Sequence, residues 1–184
     1  MKPLRLVLWI VLALAQLAVP AWMIVGEERV LRDGRQLKLQ TRPVDPADVF
    51  RGRYVALGFT VGEVPRELVR GHFNHGDIGY LELRESANGF GEVVALHKGA
   101  PEGELILKAT VNSITPEVIG VELPFDRYYM DENAAPEAEI AYRQRASDPT
   151  ESWVIVRILK GRAVLEELYI GGKPVREFLR AQDP

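Results

Sequence analysis

Gln36–Arg42 reads QLKLQTR, and its alternation is strict. Leu37, Leu39 and Thr41 fall on one side, with Lys38, Gln40 and Arg42 on the other. Period two with one apolar face predicts a half-buried β-strand. Downstream the pattern recurs. Gly52–Val61 (GRYVALGFTV) places Val55, Leu57 and Phe59 on one face, while Ala56 and Gly58 leave room for neighbouring backbone on the other. Ile78–Glu85 and Gly91–Lys98 flank Ser86-Ala87-Asn88-Gly89, a hairpin turn. Glu104–Ser113 and Glu117–Leu123 flank Ile114-Thr115-Pro116. Trp153–Lys160 and Arg162–Ile170 predict a hairpin around Gly161, and Gly171-Gly172 turns into a last short element, Pro174–Leu179. Ala134–Arg145 is the one helical segment of this part, with Asn133 as cap and Pro136 in its first turn. Pro43–Phe50 reads as an ordered turn, Val64–Asp77 as a loop with one helical turn at Pro65–Arg70, and Asp126–Asp131 as irregular. About eight strands joined by tight turns, without βαβ alternation, predict a mainly β fold: an antiparallel sandwich or open barrel with one short helix.

Upstream of QLKLQTR the chain changes character. Leu6–Val25, LVLWIVLALAQLAVPAWMIV, contains no charged residue, and Lys2 and Arg5 precede it. As a helix it is roughly 30 Å long, the thickness of a bilayer's hydrocarbon core. Gln16 is polar, and Pro20 lies near one end, where membrane helices tolerate it. Trp9 and Trp22 fall near the two ends, where interfacial aromatic belts form. A buried soluble helix would show one apolar stripe, not an apolar circumference. Val25–Arg35 extends the helix by a turn or two, with Gly34 as its stop. The expected division is a retained anchor, an uncleaved signal-anchor over residues 1–30, and one globular domain over 31–184. Ala13-Leu14-Ala15 before Gln16 also fits a signal-peptidase pattern, but cleavage there would leave QLAVPAWMIV as an exposed apolar tail.

Orientation draws two opposed readings. Arg29, Arg32, Arg35 and Lys38 outnumber Lys2 and Arg5, which by the positive-inside rule keeps the domain in the cytoplasm. A short basic N-terminus before an apolar run has the layout of an export signal, and on that ground an extracytoplasmic domain is expected. The net charge of −3 is mild, so neither nucleic acid nor an anionic lipid surface is an implied partner. There are 0 cysteines, which excludes disulfides, thiolate nucleophiles and cysteine metal sites. No Gly-x-Gly-x-x-Gly or P-loop occurs, so phosphate-cradling nucleotide folds are argued against.

Asp45-Pro46 followed by Phe50-Arg51-Gly52-Arg53-Tyr54-Val55-Ala56-Leu57-Gly58-Phe59 resembles the signature of the GDYXXLXY proteins. These are bacterial proteins with one N-terminal membrane helix, named for the motif Gly-Asp-Tyr-x-x-Leu-x-Tyr. Gly52, Tyr54 and Leu57 match; Arg53 replaces the Asp and Phe59 the final Tyr. Asp126-Arg127-Tyr128-Tyr129 with Glu132 resembles the family's second cluster, and the paired strands before Gly171-Gly172 resemble its end. The resemblance implies a membrane-anchored protein and lends no reaction, because the family has no established activity.

Two segments carry candidate chemistry. Asp126, Arg127, Tyr128, Tyr129 and Glu132 form the densest mixture of charge and aromatics, with Arg53 beside Tyr54 able to join. Such a cluster can hold a cation through its carboxylates or an acid through Arg127, or clamp a loop to the sheet. His72, His75 and Asp77 in RGHFNHGD supply zinc-type ligands, with His97 as a further donor from a strand, although a polar loop can carry two histidines without a metal. A Ser/Lys hydrolase finds one pair, Lys108 and Ser113, at an odd spacing that points to opposite strand faces. No convergent catalytic set and no cofactor follow from these residues. The expected function is an accessory or binding protein of an inner-membrane assembly, with lipid and a multi-spanning membrane protein as partners. The alternative is a membrane-bound hydrolase or metal-dependent enzyme with its site at Asp126–Glu132 or His72/His75.

Overall fold

The computed structural model of the protein describes residues 3–42, 54–130, 138, 140–142, 145 and 151–180. It opens with a helix, Pro3–Asp33, of 31 residues, about 46 Å long at the α-helical rise. The expected stop at Gly34 is found: its N–H donates to the Val30 carbonyl at 2.9 Å. A Cβ on Gly34 would sit 2.4 Å from that carbonyl oxygen, so no larger residue fits where the chain leaves the helix.

Thirteen strand segments follow among the described residues. They are β1 (Arg35–Arg42), β2 (Tyr54–Ala56), β3 (Gly58–Phe59), β4 (Glu63–Pro65), β5 (Val69–Arg70), β6 (Ile78–Glu85) and β7 (Gly91–His97). After these come β8 (Ile106–Ile114), β9 (Val118–Glu122), β10 (Arg127–Tyr129), β11 (Ser152–Leu159), β12 (Arg162–Ile170) and β13 (Lys173–Pro174). The C-terminal helix spans Val175–Arg180. One sheet has the order β13-β12-β11-β1-β3, a second the order β4-β9-β8-β6-β7-β5, and β10 pairs with β2 alone. Of these pairs only β5–β7 is parallel. The sheets form the expected sandwich or nearly closed barrel.

The alternation of QLKLQTR decides which side of β1 is inside. Leu37, Leu39 and Thr41 are buried, and the polar positions between them are not. Thr41 can be buried because its hydroxyl donates to the Ser152 carbonyl at 2.9 Å, which satisfies the polar group inside the core. Across the core β7 arrives at Gly91, where a Cβ would lie 2.7 Å from Leu37 and 2.8 Å from Leu39 side-chain carbons. The leucines of one sheet therefore press on the bare backbone of the other. Leu81, Leu107, Val111, Ile119, Val154 and Leu168 continue this core. The β11–β12 hairpin turns through Lys160 (φ 50) and Gly161 (φ 81), the paired left-handed residues of a type I′ turn, whose twist suits two antiparallel strands.

Several expectations are corrected. Gly52–Val61 is not one strand: β2 and β3 are separated at Leu57, and Thr60–Gly62 is a 3-10 turn. The strand breaks because each half pairs with a different partner, β2 with β10 and β3 with β1. The loop expected at Val64–Asp77 contains edge strands β4 and β5 around a 3-10 turn at Arg66–Leu68. Asp126–Asp131 is not irregular throughout, since Arg127–Tyr129 is β10. A bulge between Val111 and Ser113 interrupts β8, so simple parity does not set the Ser113 face relative to Lys108.

Ala138, Ile140, Ala141, Tyr142 and Arg145 are helical, as expected for Ala134–Arg145. Ala138, Ala141 and Tyr142 are buried at i, i+3, i+4 spacing, and the Tyr142 hydroxyl donates to the Arg42 carbonyl at 2.9 Å. The Pro43–Phe50 turn, the Asn133 cap and Pro136 lie outside the described residues.

Candidate functional site

The two sequence clusters are brought into register. β2 and β10 pair antiparallel, with Tyr129 opposite Tyr54, Tyr128 opposite Val55 and Arg127 opposite Ala56. Leu57 N–H extends the ladder to the Asp126 carbonyl at 2.8 Å. The Tyr of the signature and the second cluster are thus one two-stranded unit. Strand alternation then divides its side chains between two jobs.

The inward set is structural. Val55, Leu57, Phe59 and Tyr128 are buried, and Phe59 meets Phe125 edge-on with centroids 5.3 Å apart. Tyr128 donates from its hydroxyl to Glu167 at 2.6 Å, and Glu167 also accepts from the Leu168 N–H at 3.1 Å. Burial, and then the Glu167 carboxylate, push the Tyr128 phenol up to about 12. Tyr128 therefore fastens the small ladder to β12.

The outward set is Tyr54, Arg127 and Tyr129. The tyrosine rings lie 5.8 Å apart at 59°, and the Arg127 guanidinium lies 5.1 Å from the Tyr54 centroid. Asp126 sits 3.6 Å from Arg127 Nε. A Tyr129 hydrogen bond, then the Asp126 charge, raise Arg127 above the ordinary arginine value. Tyr129 is 66% exposed, so this cation–π stack is a surface and not a core contact. Asp126 also lines a cleft of about 670 Å³ with Glu27, Lys108, Glu122 and Arg162. Gly52, Arg53 and Glu132 lie outside the described residues.

His72 and His75 are exposed, and no third ligand joins them among the described residues. Asp77 is already engaged: it accepts the Asn74 N–H at 2.7 Å and pairs with Lys98. The Lys98 ammonium, then the Asn74 amide, hold its carboxyl below the usual range. His97 instead meets Glu82 at 2.8 Å. Among the described residues no group of three or more His, Asp or Glu side chains is arranged to hold a metal ion.

One contact region has no trace in the sequence reading. The last turns of the N-terminal helix dock on the β11–β12 hairpin, with Val30 only 1% exposed. Glu27 pairs with Arg162 and Gly26 faces the Arg162 guanidinium. Glu27 and Arg162 are 135 positions apart, beyond the reach of any local pattern.

The molecule is therefore a β-rich domain carried on an N-terminal helix that is long and apolar enough to cross a membrane. It belongs to the family described as GDYXXLXY protein, which matches residues 16–168. No curated protein and no solved structure matches the chain.

Proposed function

We propose that the protein is an accessory or binding subunit of an assembly in the inner membrane, held there by a single pass with its β-rich domain outside the cytoplasm. One observation carries the reading: every side chain from Val7 to Val25 is exposed, on all sides of the helix. Lipid is the solvent that suits such a surface. Gln16 is exposed in mid-helix, and its amide is a hydrogen-bond partner for a helix of a multi-spanning membrane protein. On the domain, Tyr54, Arg127 and Tyr129 offer a patch of the residue types that concentrate binding energy at interfaces. The export-signal layout of the N-terminus supports the outward orientation.

The test is mild detergent extraction of the full chain followed by native mass measurement. The expected result is a complex with an integral membrane protein that is lost on joint Arg127→Glu and Tyr129→Ala substitution. A lone monomer would overturn the reading. So would a stoichiometric transition metal lost on His72→Ala/His75→Ala, which favours the enzyme alternative. A reporter fused to the C-terminus should be active only in its extracytoplasmic form; activity in the cytoplasmic form reverses the topology.

A further inference from the structure

The notch between the N-terminal helix and the β11–β12 turn has about 360 Å³ of space. Its walls include Trp22, Gly26 and Arg29 from the helix and Lys160 and Arg162 from the hairpin. From this geometry we infer that the notch holds the phosphodiester headgroup of an anionic phospholipid. The inference rests on the membrane-spanning reading of the helix and adds a specific lipid to it.

Depth is the first argument. Trp22 is 82% exposed near the end of the apolar run, where aromatic side chains mark the edge of the hydrocarbon. Gly26 lies about 6 Å further along the axis, and Arg29, about 10 Å along, stands just beyond the headgroup layer. A headgroup layer is roughly 6 Å thick on each side of the hydrocarbon. The hairpin residue that touches the helix at Gly26, Arg162, therefore lies at headgroup level, and Trp22 is placed to meet acyl chain.

Charge is the second. Arg29, Lys160 and Arg162 face the notch together with Asp33, and Glu27 stands at its rim. Arg32 holds Asp33 at 2.9 Å, with Arg29 further off at 3.7 Å, and Arg162 pairs with Glu27. Lys160 has no ion-pair partner among the described residues, and Asp33 is shared between two arginines, so positive charge is in excess around the notch. The sequence of the turn agrees: type I′ positions favour Asn or Gly, yet a lysine occupies the first of them at φ 50.

Shape is the third. A Cβ on Gly26 would lie 3.1 Å and 3.3 Å from the two terminal nitrogens of Arg162. Glycine lets the guanidinium lie against the helix, and Glu27 fixes its direction. The Arg162 guanidinium, with one terminal nitrogen engaged by Glu27, thus stands beside the Lys160 ammonium, a pairing of cations suited to phosphate oxygens.

The experiment uses the full chain in lipid nanodiscs, one set of phosphatidylcholine alone and one of phosphatidylcholine mixed with phosphatidylglycerol, followed by native mass measurement of retained lipid. The chain is expected in both sets. Retained phosphatidylglycerol should exceed its share of the mixed disc, and Lys160→Glu should reduce that excess by about fivefold or more, the value of one basic residue at a membrane surface. Gly26→Leu, which fills the notch without changing charge, should do the same. Equal retention of both lipids, or an excess that survives Lys160→Glu and Gly26→Leu, overturns the headgroup site and leaves the anchor standing. Recovery from neither disc overturns both. Inorganic phosphate retained in phosphatidylcholine discs in place of lipid also overturns it.

Discussion

The N-terminal helix has two halves that obey different rules. From Val7 to Val25 every side chain is exposed, and the residues are apolar around the full circumference. From Gly26 to Asp33 the residues are mostly charged, yet Val30 is buried against the hairpin and Gly34 is closed in behind it. No side chain of the greasy half is buried among the described residues, and the polar half is the one that packs. The difference teaches that burial follows the available partner and not hydropathy alone. The apolar half is long and apolar enough to cross a membrane, and the charged half buries one valine where the hairpin meets it. The helix runs unbroken from one half into the other, so the proposed membrane anchor would hold the domain directly at the membrane surface with no linker between them.

The sharpest way to break this comparison is one substitution in each half. Val30→Asp places an unpaired carboxylate in a closed contact and should lower domain stability by about 3–5 kcal/mol, with membrane retention unchanged. Leu17→Asp should leave the domain's melting in detergent unaltered, yet cost about 3 kcal/mol of insertion and release much of the chain on alkaline extraction. If both variants changed both readouts alike, the two halves would not be distinct. A pair of glycines gives the next largest contrast. Gly34→Ala drives a Cβ to 2.4 Å from the Val30 carbonyl oxygen and 3.1 Å from Arg157 Cβ. It should cost about 1–3 kcal/mol in thermal melts, because neither neighbour can yield easily. Gly26→Ala meets only the flexible tip of Arg162 and should be neutral or stabilising by up to about 1 kcal/mol.

Alkali separates domain from anchor. Burial pushes Tyr142 up to about 12, and Tyr128 is raised to the same level. Because the folded values lie above the ordinary value of 10.0, this contribution is complete below that pH and is lost as pH rises towards 12. The domain should loosen by circular dichroism across that window while the chain stays in the membrane pellet. Tyr142→Phe should cost about 1 kcal/mol at neutral pH through the lost bond to Arg42 and flatten part of the alkaline loss. The smallest effect belongs to Glu27→Gln. Its pair with Arg162 is half exposed, so the change should be below about 1 kcal/mol in melts and vanish at high salt.

What could be read in the chain was local. QLKLQTR alternates over a full strand, and Lys160-Gly161 lies between two long apolar-patterned runs, so β1 and the β11–β12 hairpin were legible. β2, β3, β4, β5 and β10 are two or three residues long, too short for any period to show. Their pairings are set by what lies across the core. The candidate cluster was legible as composition, but its division was not. Only the β2–β10 register turns Tyr128 inward to Glu167 and leaves Arg127 and Tyr129 on the surface. The helix–hairpin contact joins residues 135 positions apart and left no local signature.

The central claim is that the hairpin tip rests at the membrane because the helix is docked to it. The chain has 0 cysteines, so single labelling sites can be introduced without background. An environment-sensitive fluorophore on Lys160→Cys, in proteoliposomes with quencher-bearing headgroups, should be strongly quenched. The same probe on Gly172→Cys, at the opposite end of the hairpin and about 25 Å away by strand rise, should not be. Equal quenching at the two positions, or none at Lys160, would contradict the docked arrangement.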